Sequence, residues 1–238
     1  MVTRRQALAI VASAPASLLL GNTEAHAAPW VRTDSTVRTW GNVMLIGDST
    51  AAGYRTHLVS LLRSSDIGPY RCDLQAARSM HREFPRYPSA VRAVRSARRA
   101  GFDPSAYVIA VGANDLRYGT RTAAAATTMF DTLLGAIGAD RTVGICTIYG
   151  LRSPGAVRYN RYLAEATTRW PNLHILHWAP IARRHREWHQ SDGFHYNLRG
   201  SRHRNVFLVN AMREMAMVEA ARHQPPPVDP GTTDPGDV

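Results

Sequence analysis

The chain has 238 residues, enough for one domain with a substantial core, and 45% of them are hydrophobic, an ordinary share for a globular protein rather than a disordered one. Its formal charge is +11, carried on the basic side entirely by arginine, with no lysine anywhere in the chain. In a cytosolic protein that charge would point to nucleic acid, but the N-terminal segment argues against that compartment.

Thr3-Arg4-Arg5-Gln6-Ala7-Leu8-Ala9 leads into an apolar stretch through Leu20, and Ala25-His26-Ala27 precedes Ala28. This pattern predicts a signal peptide over residues 1–27, with the paired arginines suggesting twin-arginine export. An uncleaved anchor is the competing reading, weakened because the apolar stretch is short and carries Ser13, Pro15 and Ser17. No other segment approaches transmembrane length, so a secreted or envelope-associated chain is expected, with no nucleic-acid partner. Removing residues 1–27 takes away Arg4, Arg5 and Glu24 and leaves a charge of +10. Such a charge suits anionic envelope polymers or acidic lipids, or simply a solvated basic surface without a specific partner.

Residues 28–40 then form an N-terminal extension and 41–223 the catalytic domain. Apolar, β-branched runs predict strands at Val43–Gly47, Tyr70–Gln75, Ala106–Val111, Thr142–Ile148 and Leu173–His177. Helical patterns lie between them, near Gly53–Ser64, Pro88–Ala100, Thr122–Ala139 and Gly155–Arg169, with a last helix at Leu198–Arg222. Regular alternation of this kind predicts a three-layer α/β/α sandwich on a five-stranded parallel sheet, flavodoxin-like in layout. Residues 224–238, rich in proline, glycine and aspartate, have too few apolar groups to offset their ordering entropy and are expected to be disordered. Cys72 and Cys146 both fall on predicted strands with two others between them, too far apart for a disulfide, so two buried free thiols are expected.

Ligand crevices in open parallel sheets lie beyond the carboxyl ends of the strands. Gly47-Asp48-Ser49 follows the first strand, Gly112-Ala113-Asn114-Asp115 follows the third, and Asp192-Gly193-Phe194-His195 precedes the last helix. A serine hydroxyl needs a base to take its proton, and His195 is the candidate. Asp192, three residues earlier, can hold the imidazole tautomer and stabilise its positive charge. Asn114 offers a side-chain amide for an oxyanion, and the Ser49 backbone N–H is a natural second donor.

These ordered blocks resemble the SGNH branch of the GDSL esterases and lipases over about Val43 to Ala221. The resemblance implies Ser49 as nucleophile, Asn114 as oxyanion donor, and Asp192 with His195 as the charge pair, without any cofactor or metal. One block departs: that family carries a glycine after the second strand, whereas this chain reads Ala76-Ala77-Arg78. Ala77 takes the glycine's place and keeps a backbone amide, which serves if the local backbone avoids positive φ. Asn160 and His177-Trp178 look most like the extracellular SGNH domains of bacterial cell-wall and polysaccharide O-acyltransferases. An acyl ester, of an envelope glycan or lipid, is then the implied partner. Hydrolysis of small acyl esters leads, with acyl transfer to a glycan or lipid hydroxyl by the same triad, and non-catalytic glycan or lipid binding, as the alternatives. Gly-x-Ser-x-Gly is absent, so the α/β-hydrolase nucleophile elbow is not supported.

Several further residues carry two readings each. Tyr149 and Arg152 follow the fourth strand and are candidate substrate contacts, as is Trp188, which with Arg183, Arg184 and Arg186 could form a basic wall with an aromatic platform. The alternative is a solvated loop with Trp188 tucked into the core. His185 and His189 lie four apart, but the arginines around them disfavour a dication. Arg92, Arg95 and Arg99 fit the solvated face of a helix, and Asp48 and Asp115 are expected to fix turns rather than move protons.

Overall fold

The structure, a computed structural model, describes residues 30–32 and 42–223. The signal peptide, the tail and most of the N-terminal extension expected from sequence lie outside these residues. Strands are β1 (Trp30–Arg32), β2 (Val43–Gly47), β3 (Tyr70–Leu74), β4 (Ala106–Ala110), β5 (Thr142–Cys146) and β6 (Leu173–Leu176). Helices are α1 (Ser49–Ala52), α2 (Arg55–Arg63), α3 (Ala90–Arg99), α4 (Ala123–Ile137), α5 (Pro154–Ala166), α6 (Trp178–Arg183) and α7 (Leu198–Arg222).

The sheet order is β1-β3-β2-β4-β5-β6, and the five strands from β2 to β6 run parallel, as the alternation predicts. A sixth, β1, adds antiparallel to the β3 edge with Trp30 opposite Cys72. Its three residues are too few to show a period, which is why the sequence pattern misses it. Short α6, interrupted by Pro180, escapes for the same reason.

Successive strand residues point to opposite faces and feed two cores. Met44, Ile46, Tyr107, Ile109, Val143 and Ile145 pack beneath α3, α4 and α5. Val43, Leu45, Cys72, Val108 and Cys146 face α2 and α7, where Leu208, Met212 and Met215 meet them. With both faces covered, β2, β4 and β5 are buried along their whole length, so they read as unbroken apolar runs rather than alternations. Ser89, Thr122, Ser153 and Asn197 each accept a backbone N–H from the first turn of the helix they open, which sets where α3, α4, α5 and α7 begin. Arg92, Arg95 and Arg99 lie on the exposed side of α3, opposite buried Val91, Val94 and Ala97. Cys72 and Cys146 are free and buried with two strands between them, and burial pushes both thiols up from their ordinary range. Among the described residues no helix is long and apolar enough to cross a membrane.

Candidate active site

Ser49 opens α1 immediately beyond the carboxyl end of β2, and Asp48 is the residue that makes the turn. One Asp48 oxygen accepts from the Thr50 N–H at 2.9 Å and the Thr50 hydroxyl at 2.7 Å; the other accepts from the Ala113 N–H at 3.2 Å. The same carboxylate therefore caps the serine turn and ties it to the loop after β4. Burial raises the Asp48 carboxyl, against the opposing pull of these bonds. Gly47 is needed beneath the turn, because a Cβ there would fall 2.6 Å from Leu74 and 2.7 Å from Ala51.

His195 arrives from the far end of the chain, with Nε2 2.9 Å from the Ser49 Oγ and Nδ1 2.5 Å from Asp192 Oδ2. The other Asp192 oxygen accepts the N–H groups of Phe194 and His195 at 2.8 and 2.9 Å, with Gly193 at φ 70 completing the turn. Burial opposes ionisation of Asp192, but the imidazole and the two amides outweigh it and hold the carboxyl below its usual range. One local loop thus presents an ionised acid and an aligned imidazole to a serine 146 residues away.

Three donors stand on loops that meet beside the serine turn. Asn114 lies in a 3-10 turn after β4 and spends one amide hydrogen on the Arg78 carbonyl at 2.9 Å, leaving the second for a ligand. Among the described residues, the Ser49 and Ala77 backbone N–H groups meet no acceptor. The expectation that Ala77 avoids positive φ is wrong: it sits at φ 57, the left-handed region that favours glycine, and its N–H stays unspent there all the same. The tight turn after β3 demands that conformation, and an L-side chain there costs roughly 1–2 kcal/mol. Buried Arg78 secures the loop by donating to Asp73 Oδ1 at 2.6 Å and to the Asp73 carbonyl at 3.2 Å.

Asp115 braces the same loop from below, accepting the Met80 N–H at 2.9 Å. Asp48 and Asp115 thus both hold turns. Burial, reinforced by the Asp48 carboxylate, lifts Asp115 to about 7. Because its folded value lies above the unfolded 3.8, the native state keeps a proton that the unfolded chain has lost. The resulting stability is complete below pH 3.8 and drains away as pH rises towards 7, by at most about 4 kcal/mol. Asp115→Asn keeps an acceptor for Met80 without the charge. Melting curves at pH 5 and pH 8 should therefore show a smaller loss for the variant than for the native chain; parallel losses would remove Asp115 from the account.

The structure separates the remaining candidates. Tyr149 and Arg152 line an open cleft of about 920 Å³ between α5 and α6, which none of Ser49, Asp192 and His195 borders. Their loop touches the acid–histidine turn from outside, through the Leu151 N–H on the Gly193 carbonyl at 2.8 Å. Asn160 braces this loop by bonding both the N–H and the carbonyl of Ile148 at 2.8 Å.

Trp188 is not a platform. It is 4% exposed, with His185 stacked on it at 3.8 Å and His203 at 4.2 Å, so its faces are taken and the core reading holds. His185 pairs with Glu187 while His189 is buried against Tyr149 and Tyr196, so the two histidines do not share a helix face. Among the described residues no cluster of His, Cys, Asp or Glu is arranged to hold a metal ion.

Arg204 was not singled out from sequence. It is buried on α7 with its guanidinium 4.8 Å from the Trp178 ring, and its charge favours the ionised form of Asp48. Its signal was its place on the buried face of the helix, in register with Leu208, Ala211 and Met215.

These features define a three-layer α/β/α protein carrying a serine, histidine and aspartate in hydrogen-bonded sequence at the carboxyl edge of its parallel sheet. Solved structures of several ester- and acyl-processing proteins share this fold, at identities too low to show more than the fold. The C-terminal catalytic domain of Streptococcus pneumoniae peptidoglycan O-acetyltransferase A superposes with a TM-score of 0.57 at 19% identity, over 74% of this chain and 94% of that one. A lipolytic G-D-S-L family protein from Veillonella parvula gives 0.57 at 12% identity, over 72% and 98%. The psychrotrophic esterase EstA from Pseudoalteromonas gives 0.53 at 17%, over 73% and 97%. No protein-family model and no curated protein sequence matches the chain.

Proposed function

We propose that this chain is an exported serine ester hydrolase that removes small acyl groups, O-acetyl groups of envelope glycans among them. The observation that carries the reading is the continuous path from Ser49 Oγ through His195 to Asp192, at 2.9 and 2.5 Å, beside three unspent donors on separate loops. Ser49 Oγ attacks the ester carbonyl while His195 Nε2 takes its proton, and Asp192 stabilises the imidazolium. Asn114, Ser49 and Ala77 donate to the carbonyl oxygen as it becomes negative. Collapse of the tetrahedral species expels the alcohol, which takes the proton back from His195 and leaves an acyl-serine. Water activated by His195 then releases the acid. A glycan hydroxyl in place of water makes the same protein a transferase, a reading supported by the fold it shares with the pneumococcal domain.

A fluorophosphonate should label the chain once, at Ser49, as read by peptide mass, and prior incubation with an acetyl ester should slow the labelling. No labelling, with the folded chain present, leaves a binding protein instead. Supplying a glycan acceptor with the acyl donor separates the two enzyme readings, since transfer yields new ester in excess of free acid. Export is supported by the Thr3-Arg4-Arg5 segment and its apolar continuation. N-terminal sequencing of the secreted chain should begin at Ala28.

A further inference from the structure

The basic, aromatic surface sought near Trp188 has a counterpart in the loops that continue from Arg78 and Asn114. Residues 78–88, between β3 and α3, and 114–121, between β4 and α4, are joined by the Asn114 bond to Arg78, the Asp115 bond to Met80, and the Arg82 guanidinium 5.1 Å from the Tyr118 ring. Arg117 lies 5.2 Å from the same ring, so two like charges gather on one tyrosine. The nearby carboxylates make their hydrogen bonds elsewhere, Glu83 with the Ser89 hydroxyl and Asp115 with the Met80 N–H, and Asp115 feels the Arg82 charge without pairing with it. Among the described residues neither guanidinium has an ion pair. Two guanidinium groups gathered on one ring with no direct ion pair leave a site that an anion relieves.

The second component is apolar. Phe84 is 43% exposed and Tyr87 38%, yet their loop is tightly fastened. The two residues form a bridge closed by the Tyr87 N–H on the Phe84 carbonyl at 3.1 Å. The Ser79 hydroxyl holds the Arg82 carbonyl at 2.5 Å and Gln75 holds the Arg86 carbonyl at 3.1 Å. Large rings kept in water on a fixed loop forgo burial, and a loop already ordered loses little entropy when a ligand arrives. The face of a pyranose ring, with its axial C–H groups, suits such rings, whereas a bilayer needs one continuous apolar face rather than rings interleaved with arginines.

From this juxtaposition we infer that the surface binds an anionic polysaccharide. Its carboxylates sit on Arg82 and Arg117 and its sugar faces on Phe84 and Tyr87, so that an O-acyl group on the polymer reaches Ser49. The inference rests on the proposed ester chemistry for what the bound polymer is for, but not for the binding itself.

The test compares O-acetylated polygalacturonate with O-acetylated xylan, which is neutral, using the full chain at low ionic strength. In the Arg82→Gln/Arg117→Gln variant, the ratio of kcat/KM for the acidic over the neutral polymer should fall about tenfold, mainly through KM. Replacing Arg183, Arg184 and Arg186 together with alanine should change that ratio less. An unmoved ratio in the first variant, or a larger change in the second, overturns the inference. A binding arm uses Ser49→Ala, which turns over no ester if the proposed mechanism holds, with unacetylated polygalacturonate and, separately, phosphatidylglycerol vesicles. Polygalacturonate binding that depends on Arg82 and Arg117 supports the inference even if the native chain proves to have no esterase activity. Tighter binding to the vesicles than to the polymer assigns the surface to a membrane and overturns it.

Discussion

Ser49→Ala should lower turnover of a p-nitrophenyl acetate type substrate by roughly 10⁴-fold or more, since the hydroxyl that forms the acyl intermediate is gone. The fold should hardly notice: Ser49 is only partly buried, and among the described residues its one side-chain hydrogen bond is to His195. His195→Ala should cost nearly as much, and the double variant little more than either single one, because nucleophile and base act as a unit. Turnover that persists in Ser49→Ala would falsify the mechanism. Parallel melting curves are needed beside the rates, so that a loss of fold is not counted as a loss of chemistry.

The second large effect is at Asn114. Removing its amide with Asn114→Ala should reduce kcat by about 10²- to 10³-fold with little change in KM, the pattern of a donor engaged only when charge develops on the carbonyl oxygen. The size of the effect reports how much of the oxyanion's stabilisation Ser49 and Ala77 supply between them. Ala77 is held at φ 57 by the turn after β3, with its N–H unspent. If Ala77 contributes, Asn114→Ala will fall near the lower end of that range. A raised KM with kcat intact would instead make Asn114 a ground-state contact and move the oxyanion elsewhere.

These expectations depend on how three loops meet, and the loops differ in how far they could be read in advance. Strands β2, β4 and β5 are buried throughout, so their apolar runs marked where the chain leaves the sheet, and Ser49 and Asn114 stand directly after such runs. Asp192 and His195 are three residues apart on one turn, so their mutual geometry is nearly local. The φ of Ala77 was not legible, because alanine has no conformational signature and the turn is imposed by Arg78 on Asp73 and by Asp115 on Met80. Trp188 misled for a related reason: a tryptophan among arginines suggests a platform, yet the histidines covering it come from the adjoining turn and from α7, fifteen residues on.

The sequence by itself determined the alternation that builds a parallel sheet and the placing of serine, asparagine, aspartate and histidine around it, because strand burial and tight turns are local in the chain. Tertiary structure alone decided three further matters. It showed that Asp48 joins two of the loops and that the buried Arg204 lies close enough for its charge to act on Asp48. It also picked out Arg82 and Arg117, gathered on one tyrosine without an ion pair among the described residues, from the other exposed arginines. Each of these is a relation across space between segments distant in sequence, where burial and charge are set by what packs alongside rather than by what comes next in the chain.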